Sequence, residues 1–315
     1  MSPDGRPPRF DYEAKLRFFK LVGYDPWEID VETGALLTDA QFREALAQGR
    51  PTLGQKSFHW ACCFFRFVSW FAGARSGKSI AGAMELAFRL FLPERRIWIA
   101  APNYDLGSKE FEYVWKTYKE ELPKRGLVMN YLPGTTFNPD RGRFNVFLGA
   151  PLFSWLKVKT AENMESFLGE KIHDLLLAEA PKLPAAAWSK YLTDRIATLE
   201  GNVILPATPD GFNWAHDEFY APAGGATRIG YERSGNAWMD DYWTQSTSAL
   251  DCPDAYYPAA EKIRMMKRLA DNPEDVDRIE QFHGRFAHRS GLVLYRLTGP
   301  SIVSRLDARA RWGFA

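Results

Sequence analysis

The stretch AGARSGKS, residues 72–79, decides the fold class of this chain. It resembles the pattern G-x-x-x-x-G-K-[ST], in which a glycine-rich loop and the first turn of a helix hold phosphate groups. Gly77, Lys78 and Ser79 match the end of the pattern, but Ala72 stands where the first glycine belongs and Gly73 follows it. The alternative interpretation is a glycine turn that opens an ordinary helix.

The residues on either side favour a phosphate-binding loop. Residues 64–71, FFRFVSWF, are a short apolar and aromatic run that predicts a buried strand. Residues 79–92, SIAGAMELAFRLFL, predict a helix that ends at Pro93. A loop between a buried strand and a helix is the context in which this pattern binds phosphate, so the ordinary turn is the weaker interpretation.

Short buried strands alternate with helices over most of the chain. The sequence predicts strands at residues 97–101, 173–177 and 203–205, helices at 106–122 and 188–199, and a hairpin or two extra strands at 144–149 and 152–158. This alternation is typical of a parallel sheet covered by helices on both faces. We therefore expect an α/β fold, a P-loop NTPase of the ASCE or RecA-like kind.

The strand and helix pattern weakens beyond residue 212, where turns and aromatic residues surround one clear helix at 259–270. The Pro-rich start, SPDGRPPRF, predicts a loose leader. We expect an N-terminal leader and helical arm at 1–50, a P-loop ATPase core at 51–220, and a smaller linker subdomain at 221–315.

The composition is that of an ordinary globular protein. The 315 residues are 46% hydrophobic and carry a net charge of +1, so no overall field attracts nucleic acid and DNA contacts need a local patch. The three cysteines form no CxxC pair, which indicates buried thiols in a reducing compartment and no structural zinc. No apolar run reaches the roughly 18 residues that span a membrane, so no membrane partner is expected.

The loop predicts a site for ATP and Mg²⁺. Backbone N–H groups hold the phosphates, Lys78 reaches the β- and γ-phosphates, and the Ser79 hydroxyl is a ligand of Mg²⁺. Gln55 and His59, in an aromatic-rich stretch before the loop, are candidates for contacts with the adenine, and packing in the core is the alternative. The predicted nucleotide-binding residues are Gly73, Ala74, Arg75, Ser76, Gly77, Lys78, Ser79, Gln55 and His59.

An ATPase of this class also needs an acidic residue at the end of a second strand. Residues 175–180, LLLAEA, resemble four apolar residues followed by Asp-Glu, with Ala178 in place of the Asp. We assign Glu179 as the residue that orients and deprotonates the attacking water. Asp174 stands at the other end of the strand, about 13 Å away at the usual rise, and is interpreted as a solvated charge. The missing carboxylate at Ala178 leaves open an impaired activity.

Three segments together resemble the ATPase region of the large terminase subunits of tailed phages. Residues 54–79 contain a Gln upstream of the loop and an Arg within it, as that family does, at Gln55 and Arg75. Residues 167–183 resemble the family's Asp-Glu-Ala segment, and residues 201–219, GNVILPATPDGFNWAHDEF, resemble its coupling motif. The segment FHGRFAHRSGLVLYRL near the end resembles the connector before the family's nuclease domain, so a motor domain without nuclease activity is expected.

The resemblance implies roles and partners. Arg75 is expected to sense the γ-phosphate, and Thr208 to couple hydrolysis to movement. Arg141 and Arg143 are candidates for an arginine acting in trans on a neighbouring subunit, with solvated loop charges as the alternative. The implied partners are double-stranded DNA, a portal protein and a small terminase subunit, with a homo-oligomeric ring during packaging, a monomer in isolation, and the host cytoplasm as location. The remaining hypotheses are an ATP-binding scaffold and another nucleic-acid-dependent ATPase or helicase-like translocase.

Overall fold

The structure of the chain is a computed structural model that describes residues 5–138, 143–224, 235–273 and 275–287. Within these ranges no helix has the length and apolarity to cross a membrane. The α-helices are α1 (Tyr12–Leu21), α2 (Asp39–Ala47), α3 (Gln55–Ala61), α4 (Lys78–Leu90), α5 (Tyr104–Lys116), α6 (Leu122–Lys124), α7 (Thr193–Ala197), α8 (Ala259–Asp271) and α9 (Val276–His283).

One large sheet organises the described part of the chain. Two short strands, β1 (Glu28–Asp30) and β2 (Thr52–Gly54), form a separate antiparallel pair. The large sheet contains β3 (Phe67–Ala72), β4 (Arg96–Ala101), β5 (Thr136–Asn138), β6 (Arg143–Phe147), β7 (Trp155–Thr160), β8 (Asp174–Leu177), β9 (Asn202–Ala207), β10 (Gly235–Met239) and β11 (Tyr242–Thr247). Their order across the sheet is β10-β11-β3-β9-β8-β4-β7-β6-β5.

The strand order confirms the predicted α/β fold class. The strands from β11 to β7 run parallel, and the antiparallel pairs lie at the two edges of the sheet. β9 lies between β3, which precedes the glycine loop, and β8, which precedes Glu179. One strand inserted between these two is the arrangement expected for an ASCE NTPase, and it brings the carboxyl ends of all three to one edge.

Apolar side chains of the central strands pack on helices at both faces. On one face they meet α4 and α5 in a core that includes Ile99, Leu176 and Ile204. On the other face Leu175 and Leu177 belong to a second core with Trp188, from the π-helical residues Ala187–Leu192. Because neighbouring residues of a strand point to opposite faces, a strand buried on both sides reads as an unbroken apolar run.

Local signals explain where the two helices beside the glycine loop begin. Gly77 precedes α4 with a φ of 81°, a conformation that glycine adopts without strain. The Asn103 side chain accepts a hydrogen bond from the Leu106 N–H at 3.0 Å and caps the start of α5. The helix predicted at 106–122 extends past α5 as a π-helical turn, Thr117–Glu121, and then α6.

The structure differs from the expected organisation at both ends of the described chain. Two strands, β10 and β11, come from the region assigned to a linker subdomain, yet β11 pairs with β3 in the core sheet over six residues. The predicted loose leader is docked at its end, because Arg9 donates from Nε to Asn202 Oδ1 at 2.7 Å. The exact division into domains stays a prediction, and the segment resembling a nuclease connector lies beyond residue 287 for most of its length.

Asp174 is not the solvated charge that the sequence suggested. It is fully buried at the start of β8, where Arg89 Nη1 lies 2.7 Å from Oδ1 and Arg95 Nη2 lies 2.6 Å from Oδ2. Burial alone would raise the pKa of Asp174, but the two guanidinium groups hold it below its usual value. The interpretation was wrong because Arg89 is distant in sequence and reaches the strand only through the packing of α4.

Candidate nucleotide-binding site

The glycine loop joins β3 to α4 in the position predicted. The Gln55 side chain fixes the end of the glycine loop. Its Nε2 donates to the Gly77 carbonyl at 3.1 Å, and its Oε1 accepts from the Trp27 N–H at 3.2 Å. A Cβ atom at Gly77 would lie 2.7 Å from Gln55 Nε2 and would displace that side chain, and the φ of 81° would strain any residue other than glycine. Arg75 has a φ of 63° and an exposed side chain.

Lys78 is buried beneath the loop as the first residue of α4. Its Nζ donates to the Gly73 carbonyl at 3.4 Å, which holds the ammonium under the loop backbone. Burial lowers the pKa of Lys78, while the nearby carboxylates of Glu179 and Glu110 act in the opposite direction. An ammonium in this position presents its charge to anything bound in the loop, as phosphate binding requires.

Glu179 follows β8 at the same edge of the sheet. It has φ 48° and ψ 45°, an uncommon conformation for a residue other than glycine, and its side chain is 19% exposed. Lys182 Nζ lies 3.9 Å from its Oε2. The carboxylate is therefore partly accessible, and it is close enough to Lys78 to raise the pKa of that ammonium.

Ala178, immediately before Glu179, is fully buried. Its N–H donates to the Ala100 carbonyl at 2.9 Å, so it continues the pairing of β8 with β4 by one residue. The position expected for an Asp is thus occupied by a side chain without oxygen.

Glu110 is a carboxylate of the site that the sequence analysis missed. It lies on α5 and is 2% exposed. Burial raises its pKa to about 7; a hydrogen bond from the Ser79 side chain lowers the pKa, and the charge of Glu179 raises it. The signal was present in the sequence, because residues 107, 110, 111 and 114 share the buried face of a helix.

Thr208 stands directly after β9, between the ends of β3 and β8. The loop that follows is fixed by two contacts: the Gly211 N–H donates to Glu280 Oε1 at 2.5 Å, and Trp214 Nε1 donates to the Leu183 carbonyl at 2.8 Å. Thr208 is therefore placed near the loop and Glu179, and its coupling role stays a prediction.

The end of α9 contacts the glycine loop itself. The Ala74 N–H donates to the Gln281 carbonyl at 2.6 Å, and a Cβ atom at Gly73 would lie 2.4 Å from the Phe282 carbonyl oxygen. The Gly73 N–H donates to Thr247 at the end of β11. Residues of the predicted linker region thus complete one wall of the site.

His59 is not part of the nucleotide site. It is fully buried on α3, where its Nδ1 lies 2.7 Å from Glu85 Oε1 and its Nε2 lies 3.0 Å from the Tyr24 hydroxyl. Gln55 begins the same helix and meets the loop, but His59 is one turn further on and faces the core. The structure therefore favours the alternative interpretation of His59, which is packing in the core.

Of the two candidate trans arginines, Arg143 is among the described residues, and it lies far from this site. Arg143 begins β6 and is exposed, and Arg141 lies outside the described residues. Five strand spacings separate β6 from β3 in the sheet order, which corresponds to about 24 Å. Arg143 therefore does not reach the loop of its own chain, and a role on a neighbouring subunit stays a prediction.

The residues present fit a magnesium nucleotide. Ser76 Oγ and Glu110 Oε2 are buried atoms without a hydrogen-bond partner in the described part of the chain, so both retain the capacity to bind a ligand. No cluster of three or more His, Cys, Asp or Glu side chains suited to a metal ion occurs among the described residues. A Mg²⁺ ion here would therefore depend on phosphate oxygens and water as well as on Ser79.

The fold and this loop define a P-loop NTPase of the ASCE kind. No family model matches the chain. Two curated relatives, large terminase subunits of Thermus virus P23-45 and Thermus phage G20c, are each 25% identical over 267 residues, covering 80% of this chain and 47% of the relative. The chain thus spans about half the length of the curated relatives it matches.

Solved structures agree with these relatives. The large terminase ATPase domain of Thermus phage P74-26 has a TM-score of 0.64 and 22% identity, covering 90% of this chain and 100% of that one. The large terminase of bacteriophage HK97 has a TM-score of 0.57 and 13% identity, covering 87% of this chain and 55% of that one. The chain is a sequence relative of large terminase subunits and has the fold of their ATPase domains, which confirms the resemblance.

Proposed function

We propose that this chain is the ATP-hydrolysing motor domain of a viral DNA-packaging terminase, which drives double-stranded DNA into a procapsid. The observation that carries the proposal is the meeting of Lys78 and Glu179 at one sheet edge. They follow β3 and β8, two strands that are separated by β9. The relation to large terminase subunits supports the packaging role.

The residues of the site would divide the reaction between them. Backbone N–H groups of the loop and Lys78 bind the phosphates, and Ser79 holds Mg²⁺, which supplies charge neutralisation when bound. Glu179 orients and deprotonates the attacking water. Arg75 is exposed at the loop and senses the γ-phosphate, and Thr208 passes the change on to the loop that follows β9.

Assembly would complete the motor. Arg141 or Arg143 acts in trans within a homo-oligomeric ring, which agrees with the distance of Arg143 from its own loop. A portal protein, a small terminase subunit and double-stranded DNA are the proposed partners, at the procapsid in the host cytoplasm. The isolated chain is a monomer with weak activity, because a neighbour's arginine is missing.

Two other functions remain as outcomes of the test. An ATP-binding scaffold without turnover is motivated by Ala178, which brings no carboxylate. A helicase-like translocase would need a second RecA-like domain, and the described residues contain one nine-stranded sheet of this kind. The relation to terminases supports the motor over both.

The test is ATP hydrolysis by the chain at low and high concentration, with and without duplex DNA, beside the variant Glu179→Gln. We expect weak turnover that rises with protein concentration and with DNA. The variant should retain ATP binding and lose about a hundredfold or more in turnover, because it lacks the base. Glu165→Gln, an exposed change of the same chemistry, is the matched control and should behave as the unchanged chain.

Tight ATP binding without turnover at any concentration would contradict the motor function and favour the ATP-binding scaffold. Turnover that Glu179→Gln leaves intact would remove Glu179 from the mechanism. Absence of nucleotide binding would refute the proposed function as a whole.

A further inference from the structure

The position of Ala178 leaves a gap on one particular face of the sheet. Side chains alternate along β8, so Ala178 lies on the same face as Leu176. That face packs on α4 closely enough that a Cβ atom at Gly82 would lie 3.0 Å from Leu176 Cδ1. An Asp at 178 would therefore point towards the layer formed by α4 and α5.

Glu110 approaches from this same layer. α4 and α5 pack side by side, and Phe111 and Val114 of α5 belong to the same core as Ala178. The Glu110 carboxylate interacts with the Ser79 side chain, and the charge of Glu179 raises the pKa of Glu110. Glu110 in turn raises the pKa of Lys78. The carboxylate that β8 lacks thus has a counterpart from a different element.

The Glu110 carboxylate is also incompletely satisfied. Its Oε2 is buried and accepts no hydrogen bond within the described residues. A buried carboxylate oxygen without a partner is costly, and a bound cation removes that cost. Mg²⁺ in nucleotide sites is held by one or two carboxylates together with phosphates and water.

We propose that Glu110 supplies the carboxylate of the Mg²⁺ site, in place of the Asp that Ala178 lacks, so that Ser79 and Glu110 hold the ion from two adjacent helices. The inference rests on the proposed function, since it requires a nucleotide in the loop. With Glu110 as a ligand, a chain with Ala178 still has a carboxylate for Mg²⁺. Such a chain could work as an ATPase and would not be limited to a scaffold role.

The test measures the binding of a fluorescent ADP analogue with EDTA and with Mg²⁺, for the unchanged chain and for Glu110→Gln. The quantity compared is the gain in affinity that Mg²⁺ produces. We expect the variant to bind within about twofold of the unchanged chain in EDTA, and to lose about tenfold or more of the gain from Mg²⁺. Electron paramagnetic resonance of Mn²⁺ bound with ADP gives a second readout, in which the variant should bind fewer ions.

Three further variants sharpen the result. Glu112→Gln lies on the same helix, in an exposed ion pair with Lys116, and should leave the gain unchanged. The double variant Glu110→Gln, Ala178→Asp should recover the gain, because the Asp returns a carboxylate to the same face. Glu110→Asp keeps the charge one carbon shorter, should show an intermediate gain, and decides the question if Glu110→Gln does not fold.

The outcomes separate the two proposals. An unchanged chain that binds no ADP overturns the proposed function and this inference with it. An unchanged chain that binds ADP without a gain from Mg²⁺ overturns the role of Glu110 alone and leaves the nucleotide site standing. A clear gain that Glu110→Gln or Glu110→Asp retains in full has the same meaning.

Discussion

The buried charges at the two ends of β8 differ in how many partners they have within the protein. At its start, Asp174 is matched by Arg89 and Arg95, and Arg89 also lies 3.4 Å from Glu85. After its end, Glu110 and Lys78 are buried with few protein partners of their own. One end thus joins the sheet to its helices through matched charges, whereas the other is the end at which we propose that a ligand binds.

The largest expected effect comes from breaking the matched end. Asp174→Asn keeps the shape of the side chain. It removes the nearer of the two counter-charges of Arg89, which is 1% exposed, and the counter-charge of Arg95. We expect the free energy of unfolding to fall by about 3–5 kcal/mol, measured by urea denaturation. Glu112→Gln removes an exposed ion pair and should cost less than about 1 kcal/mol. Equal losses for the two variants would contradict the structural role of Asp174.

An intermediate effect is expected at Glu28, a buried carboxylate satisfied by neutral donors. Its Oε2 accepts from the Ser57 N–H at 2.9 Å, and burial raises its pKa to about 7. Since the unfolded chain loses this proton near pH 4.5, the folded state is disfavoured increasingly from pH 4.5 to 7. Glu28→Gln should be as stable as the unchanged chain near pH 4.5, and more stable by about 3 kcal/mol at pH 8.

Thermal and urea unfolding across this pH range measure the effect at Glu28. The exposed variant Glu44→Gln is the control, and its difference from the unchanged chain should stay flat. A difference for Glu28→Gln that shrinks as the pH rises would have the wrong sign and would contradict the burial argument.

The smallest effect on the folded protein is expected at Lys78. Under the proposal that this cation serves a bound phosphate, Lys78→Ala should leave the unfolding free energy of the ligand-free chain within about 1 kcal/mol. The stabilisation by ADP, about 2.7 kcal/mol at a hundredfold excess over the dissociation constant, should disappear. Lys124→Ala, an exposed change, should keep that stabilisation. A large loss without ligand would place Lys78 with the structural charges.

The sequence predicted what is local and missed what depends on distant contacts. The loop, α4 and β8 follow from apolar runs and from residues 73–79, since their determinants are neighbours in the chain. Asp174 was misjudged because its partners come from α4 and the loop before β4. β10 and β11 were missed because turns and aromatic residues hid two strands that are stable only beside β3.

The candidate site shows the same limit. Glu179 could be proposed as a site residue from LLLAEA alone, whereas Glu110 could be proposed only once α5 was packed beside α4. The sequence pattern predicted that Glu110 lies on the buried face of α5, but it did not predict which side chains Glu110 would contact. His59 was assigned by its closeness to Gln55 in sequence. The two residues share a face of α3, but they are about 6 Å apart along its axis, so Gln55 meets Gly77 whereas His59 meets Glu85.

The hydrogen bond between Ala74 and Gln281 has a consequence for timing. An N–H group donates one good hydrogen bond at a time. A phosphate oxygen that accepts from the Ala74 N–H must therefore displace the Gln281 carbonyl, at the end of α9. Occupancy of the loop and attachment of this segment then compete, and by reciprocity each weakens the other. α9 also holds Gly211 through Glu280, so its release would free the segment after β9 in the same event.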